Sequence, residues 1–186
     1  PIGGEENLIN DAKERSFILL GLGASFKPST YLEIYGNISQ NYRSITFSDV
    51  NIVNPSNAVD PSLKDENGFT VDVGARGNLN SWVSYDIGFF SLFYKDRIGF
   101  LFTSIPPINN LGQLRTNIGD ATIMGLESVL DFNLKKILTI GDRFSLNYFV
   151  NTSVINSKYT RVITNGIKGN KVEFVPDFNI KTGIRF

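Results

Sequence analysis

The sequence predicts an all-β fold, an antiparallel transmembrane β-barrel wall of about seven strands. Three observations carry that prediction. Seven stretches alternate apolar and polar residues one by one, the connections between them alternate short and long, and no apolar run reaches the ~18 residues that a membrane-crossing helix needs. The final stretch is the plainest: Phe178, Ile180, Thr182, Ile184 and Phe186 point to one side, and Asn179, Lys181, Gly183 and Arg185 to the other. A soluble sandwich strand alternates in the same way, so the inference rests on the whole set of stretches.

The first strand is expected over Ser16 to Lys27, with Ile18, Leu20, Leu22, Ala24 and Phe26 as its apolar row. A tight turn follows at 28–30, because Pro28 presets φ. The second strand runs from Tyr31 to about Tyr42 and leads into a long loop, 43–67, rich in Asn, Asp, Pro and Ser. The third spans about Gly68 to Gly77, setting Phe69, Val71, Val73 and Ala75 against Thr70, Asp72, Gly74 and Arg76. After a short turn at 78–81, the fourth strand runs from Trp82 to about Thr103, with Val83, Tyr85, Ile87, Phe89 and Phe93 on its apolar side. Its other side is unusual in carrying Phe90, Leu92 and Tyr94 beside Asp86 and Gly88. A medium loop, 104–115, precedes the fifth strand, Thr116 to Leu134, where Met124, Leu126, Leu130, Phe132 and Leu134 oppose Glu127, Asp131 and Asn133. A turn at 135–142 leads to the sixth strand, marked by Phe144, Leu146, Tyr148, Val150 and Val154, and a loop at 156–171 leads to the seventh.

Composition agrees. Hydrophobic residues make up 41%, and 17 glycines and 15 phenylalanines against one methionine is a β-type balance. Lysine plus arginine (18) equals aspartate plus glutamate (18), which argues against a nucleic-acid partner. With neither cysteine nor histidine, thiolate chemistry, cysteine zinc sites and the commonest general base are excluded, so no metal site, cofactor or enzymatic activity is expected. A mean hydropathy of −0.05 is compatible with a barrel, whose wall averages lipid-facing and lumen-facing residues.

Short turns of such barrels lie in the periplasm and long loops outside, so 1–15, 43–67, 104–115 and 156–171 are expected to be external, and 28–30, 78–81 and 135–142 periplasmic. Seven strands break the even count of single-chain barrels, so the expectation is a partial barrel domain over 1–186. Phe186 on an alternating strand admits two readings, an assembly signature of outer-membrane proteins or simply the point where this sequence stops.

Several phrases occur in an order that resembles a known family. Tyr35 to Arg43 looks like a strand leading into a large external loop. Asn54-Pro55 and the run from Val59 to Phe69 are similar to an "NP-x-LK-x-E" phrase before a strand that ends in Gly74-Ala75-Arg76-Gly77. Phe93 to Ile98 resembles "FY-x-D-x-I", Arg115 to Ala121 with Gly125 to Glu127 resembles "N-x-G-x-A … G-x-E", and Phe174 to Asp177 resembles "Y-x-P-x-H". The family is the TonB-dependent outer-membrane receptors, specifically the ferric-citrate and siderophore receptors of the Bacteroidetes type. Asp177-Phe178 departs from the basic residue and histidine usual there. The resemblance implies a barrel of ~22 strands, of which this is a C-terminal-half portion lacking the plug domain and the last strands. It also implies a Gram-negative outer-membrane location, surrounding outer-membrane lipids, a ferric chelate as ligand, and coupling to the TonB complex through the absent plug.

Two groups of residues are candidates for function. Glu33, Asp72, Arg76, Asp86, Glu127, Asp131, Lys181 and Arg185 fall on the lumen-facing rows, where they either touch the plug or are ordinary wall polarity. Tyr42, Arg43, Lys64 and Arg115 lie in or beside external loops, and arginine forks suit the carboxylates of an anionic ferric chelate. Loop solvation and lipopolysaccharide contact are the alternative reading of these four. Glu127 and Asp131 share a strand face, but without histidine or a nucleophile motif they do not suggest catalysis. Gly21 and Gly23 lie inside a strand with no following helix and are not a nucleotide loop. Besides the receptor-transporter, two functions compete: a small autonomous outer-membrane barrel acting as adhesin or scaffold, and a soluble β protein such as a carbohydrate-binding sandwich. The soluble reading requires a second sheet over Phe89, Phe93, Phe132 and Phe144.

Overall fold

Alternating side chains give each strand two chemically different faces, and pairing in chain order aligns those faces into one wall. A computed structural model describes residues 16–51, 54, 57–105, 110–139, 141, 145–162 and 167–186. Seven strands form an antiparallel meander: β1 (Gly21–Ser29), β2 (Leu32–Arg43), β4 (Glu66–Leu79), β5 (Val83–Ile105), β6 (Asn110–Asn133), β7 (Asn147–Val162) and β8 (Phe178–Arg185). A short β3 (Asn57–Val59) pairs in parallel with β6, off this path. β1 and β8 are the two edges of the sheet.

The register confirms a two-faced wall. Ala24, Gly36, Val73, Phe89, Leu126, Val154 and Phe178 lie side by side across all seven strands, and the five large members of this row are exposed. One residue along, Ser25, Tyr35, Gly74, Gly88, Glu127, Ser153 and Asn179 form the matching row of the opposite face. No second sheet covers the apolar face among the described residues, as a soluble sandwich would require. On β5 the apolar row runs from Val83 to Phe93. Those ten steps span roughly 33 Å along the strand, or about 24 Å of depth at a tilt near 45°, which matches the ~25 Å apolar band of a membrane barrel.

The aromatic residues on the polar face serve the backbone. A Cβ at Gly74 would meet the Tyr35 ring at 2.4 Å, and one at Gly125 or Gly183 would meet Phe90 or Phe149 at 2.8 Å. Each ring therefore occupies the space over a glycine of the next strand and shields main chain that has no side chain of its own.

The structure departs from the sequence expectation mainly above the membrane rows. Residues 104–115, expected as a loop, are mostly strand, because β5 reaches Ile105 and β6 begins at Asn110. Outside lipid a strand needs no apolar alternation, so polar sequence hid these extensions. β7 likewise continues to Val162, and the 43–67 segment holds a helical turn α1 (Phe47–Val50) besides β3. The 135–142 segment opens within a helical turn α2 (Leu134–Ile137), and Pro28 and Ser29 belong to β1, so the chain reverses at Thr30 and Tyr31. β1 begins at Gly21 rather than Ser16. Residues 1–15, Pro106 and Phe144 lie outside the described residues.

The hairpin of β5 and β6 changes register where the wall leaves the apolar band. Between Tyr94 and Ile98 the pairing shifts, Asp96 adopts φ +56°, and Gly119 opposite adopts φ +149°. A Cβ on Gly119 would stand 1.9 Å from the Arg161 carbonyl oxygen. Replacing Gly119 with alanine is therefore expected to cost about 2 kcal/mol or more, from combined backbone strain and clash. A Cβ at Gly141 would meet nothing within 4 Å among the described residues, and its alanine variant should stay within about 0.5 kcal/mol of wild type. Urea unfolding of the intact protein in detergent, followed by heat-modifiable gel mobility, measures both.

Candidate functional site

Above the apolar band the chain between β2 and β4 folds back on the wall, and buried charge fastens it there. Thr46 precedes α1, and its amide and hydroxyl each donate to Asp49 Oδ2 at 2.8 Å, as in a helix capping box. Asp49 is only 1% exposed. It accepts two bonds from Arg43 Nη2 at 2.9 Å and a further pair from Arg115 Nε and Nη2. Arg43 also reaches Glu66 Oε1 at 2.9 Å, and the same oxygen accepts from the Ile98 amide at 2.9 Å. Two guanidinium groups thus meet two carboxylates, with the Arg115 guanidinium 4.5 Å over the Phe100 ring.

A second fastening lies further along the loop. Asp60 accepts from Thr116 Oγ1 at 2.6 Å and from the Ser62 amide at 2.8 Å, while its own amide donates to the Arg115 carbonyl at 2.9 Å. Asn117 then clamps the backbone of Lys64 from both sides: its Oδ1 accepts the Lys64 amide and its Nδ2 donates to the Lys64 carbonyl, each at 2.8 Å. The same Nδ2 donates to the Asp96 carbonyl at 2.6 Å, tying the loop to the register shift in β5. Asn117, Gly119 and Ala121 are the fixed letters of the "N-x-G-x-A" phrase. They act as clamp, as strained turn, and as a 1%-exposed member of a small cluster with Ile118, Tyr159 and Val172.

Burial by itself pushes the Asp49 carboxyl up, but hydrogen bonds from Arg115, Thr46 and Arg43 outweigh it and hold the group well below the usual carboxylate range. Tyr159 is pushed up to about 12 by burial and by its 2.7 Å hydrogen bond to Glu173.

Beside the fastened loop is a cavity of about 510 Å³, lined by Arg43, Arg97, Arg115, Tyr94, Phe100 and Phe174 among others. Glu66 and Glu173 also line it. Arg97 makes no ion pair among the described residues and stands 5.6 Å over the Tyr94 ring.

The structure brings together two of the four predicted loop residues, Arg43 and Arg115, through Asp49. Tyr42 stands apart, donating to Asp65 Oδ2 at 2.5 Å and meeting the Phe17 ring in a tilted contact at 4.2 Å between centroids. Lys64 is held by its backbone, and the residue is exposed. All eight predicted lumen-facing residues share the polar face. Glu33 pairs with Arg76 at 2.8 Å, and Arg76 lies 5.2 Å from the Tyr35 ring, whose hydroxyl donates to Asp86 at 2.6 Å. Asp131 pairs with Arg185 and accepts from Asn147 at 2.7 Å. Asp72, Glu127 and Lys181 make no ion pair among the described residues; they lie opposite Phe90, Gly88 and Asn151. Sequence reasoning missed Asp49, Arg97 and Asn117 as site residues. The motif phrases already contained Arg97 and Asn117, whereas nothing local marked Asp49.

A meander with one apolar face of membrane depth and one polar face is the wall of a transmembrane β-barrel. A family model, the TonB dependent receptor-like β-barrel, matches residues 6–186. The chain belongs to that family, whose members are transporters of the Gram-negative outer membrane and not enzymes. Among solved structures it is similar to the ferric citrate transporter FecA in its unliganded form (TM-score 0.61, 14% identity, 89% of this chain and 22% of that one). It is also similar to the copper transporter OprC (0.62, 13%, 89% and 24%) and the ferric yersiniabactin uptake receptor FyuA from Yersinia pestis (0.57, 20%, 88% and 22%). At such identities the likeness is one of fold, and the chain spans under a quarter of these three structures. No curated protein matches at the level of sequence.

Asp49→Ala leaves two guanidinium groups without their shared carboxylate and is expected to free the 44–65 segment, at a local cost of about 3 kcal/mol. Hydrogen exchange of that segment should accelerate about a hundredfold while the β4 and β5 amides stay protected. Because the Asp49 pKa is depressed, its contribution is fully present above the ordinary value of 3.8 and is lost as pH falls below it. Exchange of the segment, corrected for intrinsic rates, should therefore be unchanged between pH 7 and pH 5 and rise only below about pH 4.

Proposed function

We propose that this chain supplies wall and external loops to a receptor that takes up an anionic ferric chelate, ferric citrate or a siderophore, across a Gram-negative outer membrane. In this reading the long connections at the fastened end are external and the short turns periplasmic. Transport is energised by the TonB complex acting through a plug domain, which would meet the polar face along Glu33, Asp72, Arg76, Asp86, Glu127, Asp131, Lys181 and Arg185. No resident cofactor is needed.

The observation that carries the reading is the cavity beside the fastened loop, taken with family membership. Arg97 offers it a guanidinium that makes no ion pair among the described residues, set against the Tyr94 ring, with Glu173 in the same lining and hydrogen-bonded to Tyr159. Carboxylate-rich chelates match an arginine fork, and aromatic walls suit their bulk. Arg43 and Arg115 line the same cavity, but their first duty is to fasten the loop; Lys64 and Tyr42 are outside its lining.

The test is a binding titration of the full-length receptor by intrinsic fluorescence with ferric citrate and a small set of ferric siderophores. Submicromolar binding of one of them, weakened about tenfold by Arg97→Ala with heat-modifiable mobility intact, is the expected result. Failure of every ferric chelate to bind below millimolar concentration would sink the reading.

A further inference from the structure

We propose that the cavity beside the fastened loop selects ferric chelates whose iron is held by aryl groups, phenolate or catecholate, over the compact carboxylate chelate ferric citrate, and that Phe174 is the ring that makes the choice. The inference rests on the transport reading above and names the class of chelate which that reading leaves open.

Charge at the cavity is balanced. Arg43 and Arg115 are matched by Asp49 and Glu66. The third guanidinium, Arg97, shares the lining with Glu173, and both act on one hydroxyl: Tyr159 donates to Glu173 at 2.7 Å, and Arg97 interacts with the same group. Three cations thus stand against three carboxylates. Ferric citrate has no apolar surface to bury, so strong binding of it would have to come from a surplus of cations, and this lining holds none.

Aromatic surface, by contrast, is in surplus. Tyr94, Phe100 and Phe174 all line the cavity, and Phe102, one same-face step beyond Phe100 on β5, is exposed as well. Phe174 is the unusual member. Its ring is fully exposed, and its backbone stands at φ +61°, a left-handed conformation that a bulky residue rarely adopts. Its neighbours impose that conformation: Val172 is buried in the cluster with Ile118, Ala121 and Tyr159, Glu173 is held by Tyr159, and Lys171 pairs with Asp177 across the turn. A turn pinned on both sides therefore keeps the ring on the cavity at a cost in strain and in exposed apolar surface. A second ring laid against it offsets that cost. The rings of a phenolate or catecholate chelate supply such cover, while the Arg97 guanidinium meets an anionic oxygen at the edge of the complex.

The experiment titrates the full-length receptor in detergent calorimetrically with four probes: ferric enterobactin, a catecholate; ferric pyochelin, a phenolate; ferric citrate; and ferric desferrioxamine, a hydroxamate without aryl rings. At least one aryl chelate should bind about tenfold more tightly than ferric citrate and ferric desferrioxamine. Phe174→Ala should lower that preference about tenfold, and Phe174→Tyr, which keeps the ring, should preserve it. Heat-modifiable mobility checks that each variant is folded. Equal or tighter binding of ferric citrate or ferric desferrioxamine would overturn the proposal and leave the transport reading standing, as would an aryl preference that survives Phe174→Ala undiminished. Absence of binding by all four probes at millimolar concentration would sink the transport reading and this proposal with it.

Discussion

A sheet that stands in lipid must pair every backbone amide and carbonyl within itself, since no water is present to take an unmet group. That constraint explains why seven strands follow one another as an unbroken antiparallel meander, and why the rows from Ala24 to Phe178 and from Ser25 to Asn179 run across the whole wall without a slip. A shift of one residue in any pair would bring Asp72 or Glu127 to lipid and Val73 or Leu126 to the polar side. It also accounts for the rings of Tyr35, Phe90 and Phe149, which cover glycine main chain on the polar side where a larger neighbour would not fit.

Once the strands leave the apolar band the constraint relaxes and irregular structure appears at once. The register of β5 and β6 shifts at Asp96 and Gly119, β3 adds a parallel strand beyond the end of β7, and a helical turn forms at Phe47–Val50. Here the organising force is buried charge. Asp49 is nearly inaccessible, and a lone carboxylate in that position would be untenable; two arginines and the Thr46 cap make it the point on which the loop closes. Because Arg43 and Arg115 are largely neutralised in this way, Arg97 is the guanidinium on the cavity that makes no ion pair among the described residues, and it shares the lining with Glu173. A rigid wall with a fastened loop holds such a group in a set position, which is what recognition of a ferric chelate would need.

Much of the wall could be read from sequence because period-two alternation is a local property. Phe178 to Phe186 and Val83 to Phe93 announced their faces residue by residue, and the eight polar-face residues fell where alternation put them. The tips of β5 and β6 were illegible for the matching reason: in water neither face must be apolar, so the 104–115 segment carries no such signal. Tyr42, Arg43, Lys64 and Arg115 were recognisable as polar groups near loops, but their partners, up to 66 residues away in the chain, were not.

By itself the sequence determined the class of structure, the number of wall strands and the sidedness of nearly every wall residue, because side-chain period and membrane depth depend only on neighbours along the chain. Tertiary structure decided which charges are free and which are consumed. Asp49 meets Arg115, Asn117 clamps Lys64, and Arg97 lines a cavity only because β2, β4, β5 and β6 stand side by side and the loop between β2 and β4 crosses them. Such pairings join residues that no local pattern connects, so only the folded wall could assign them.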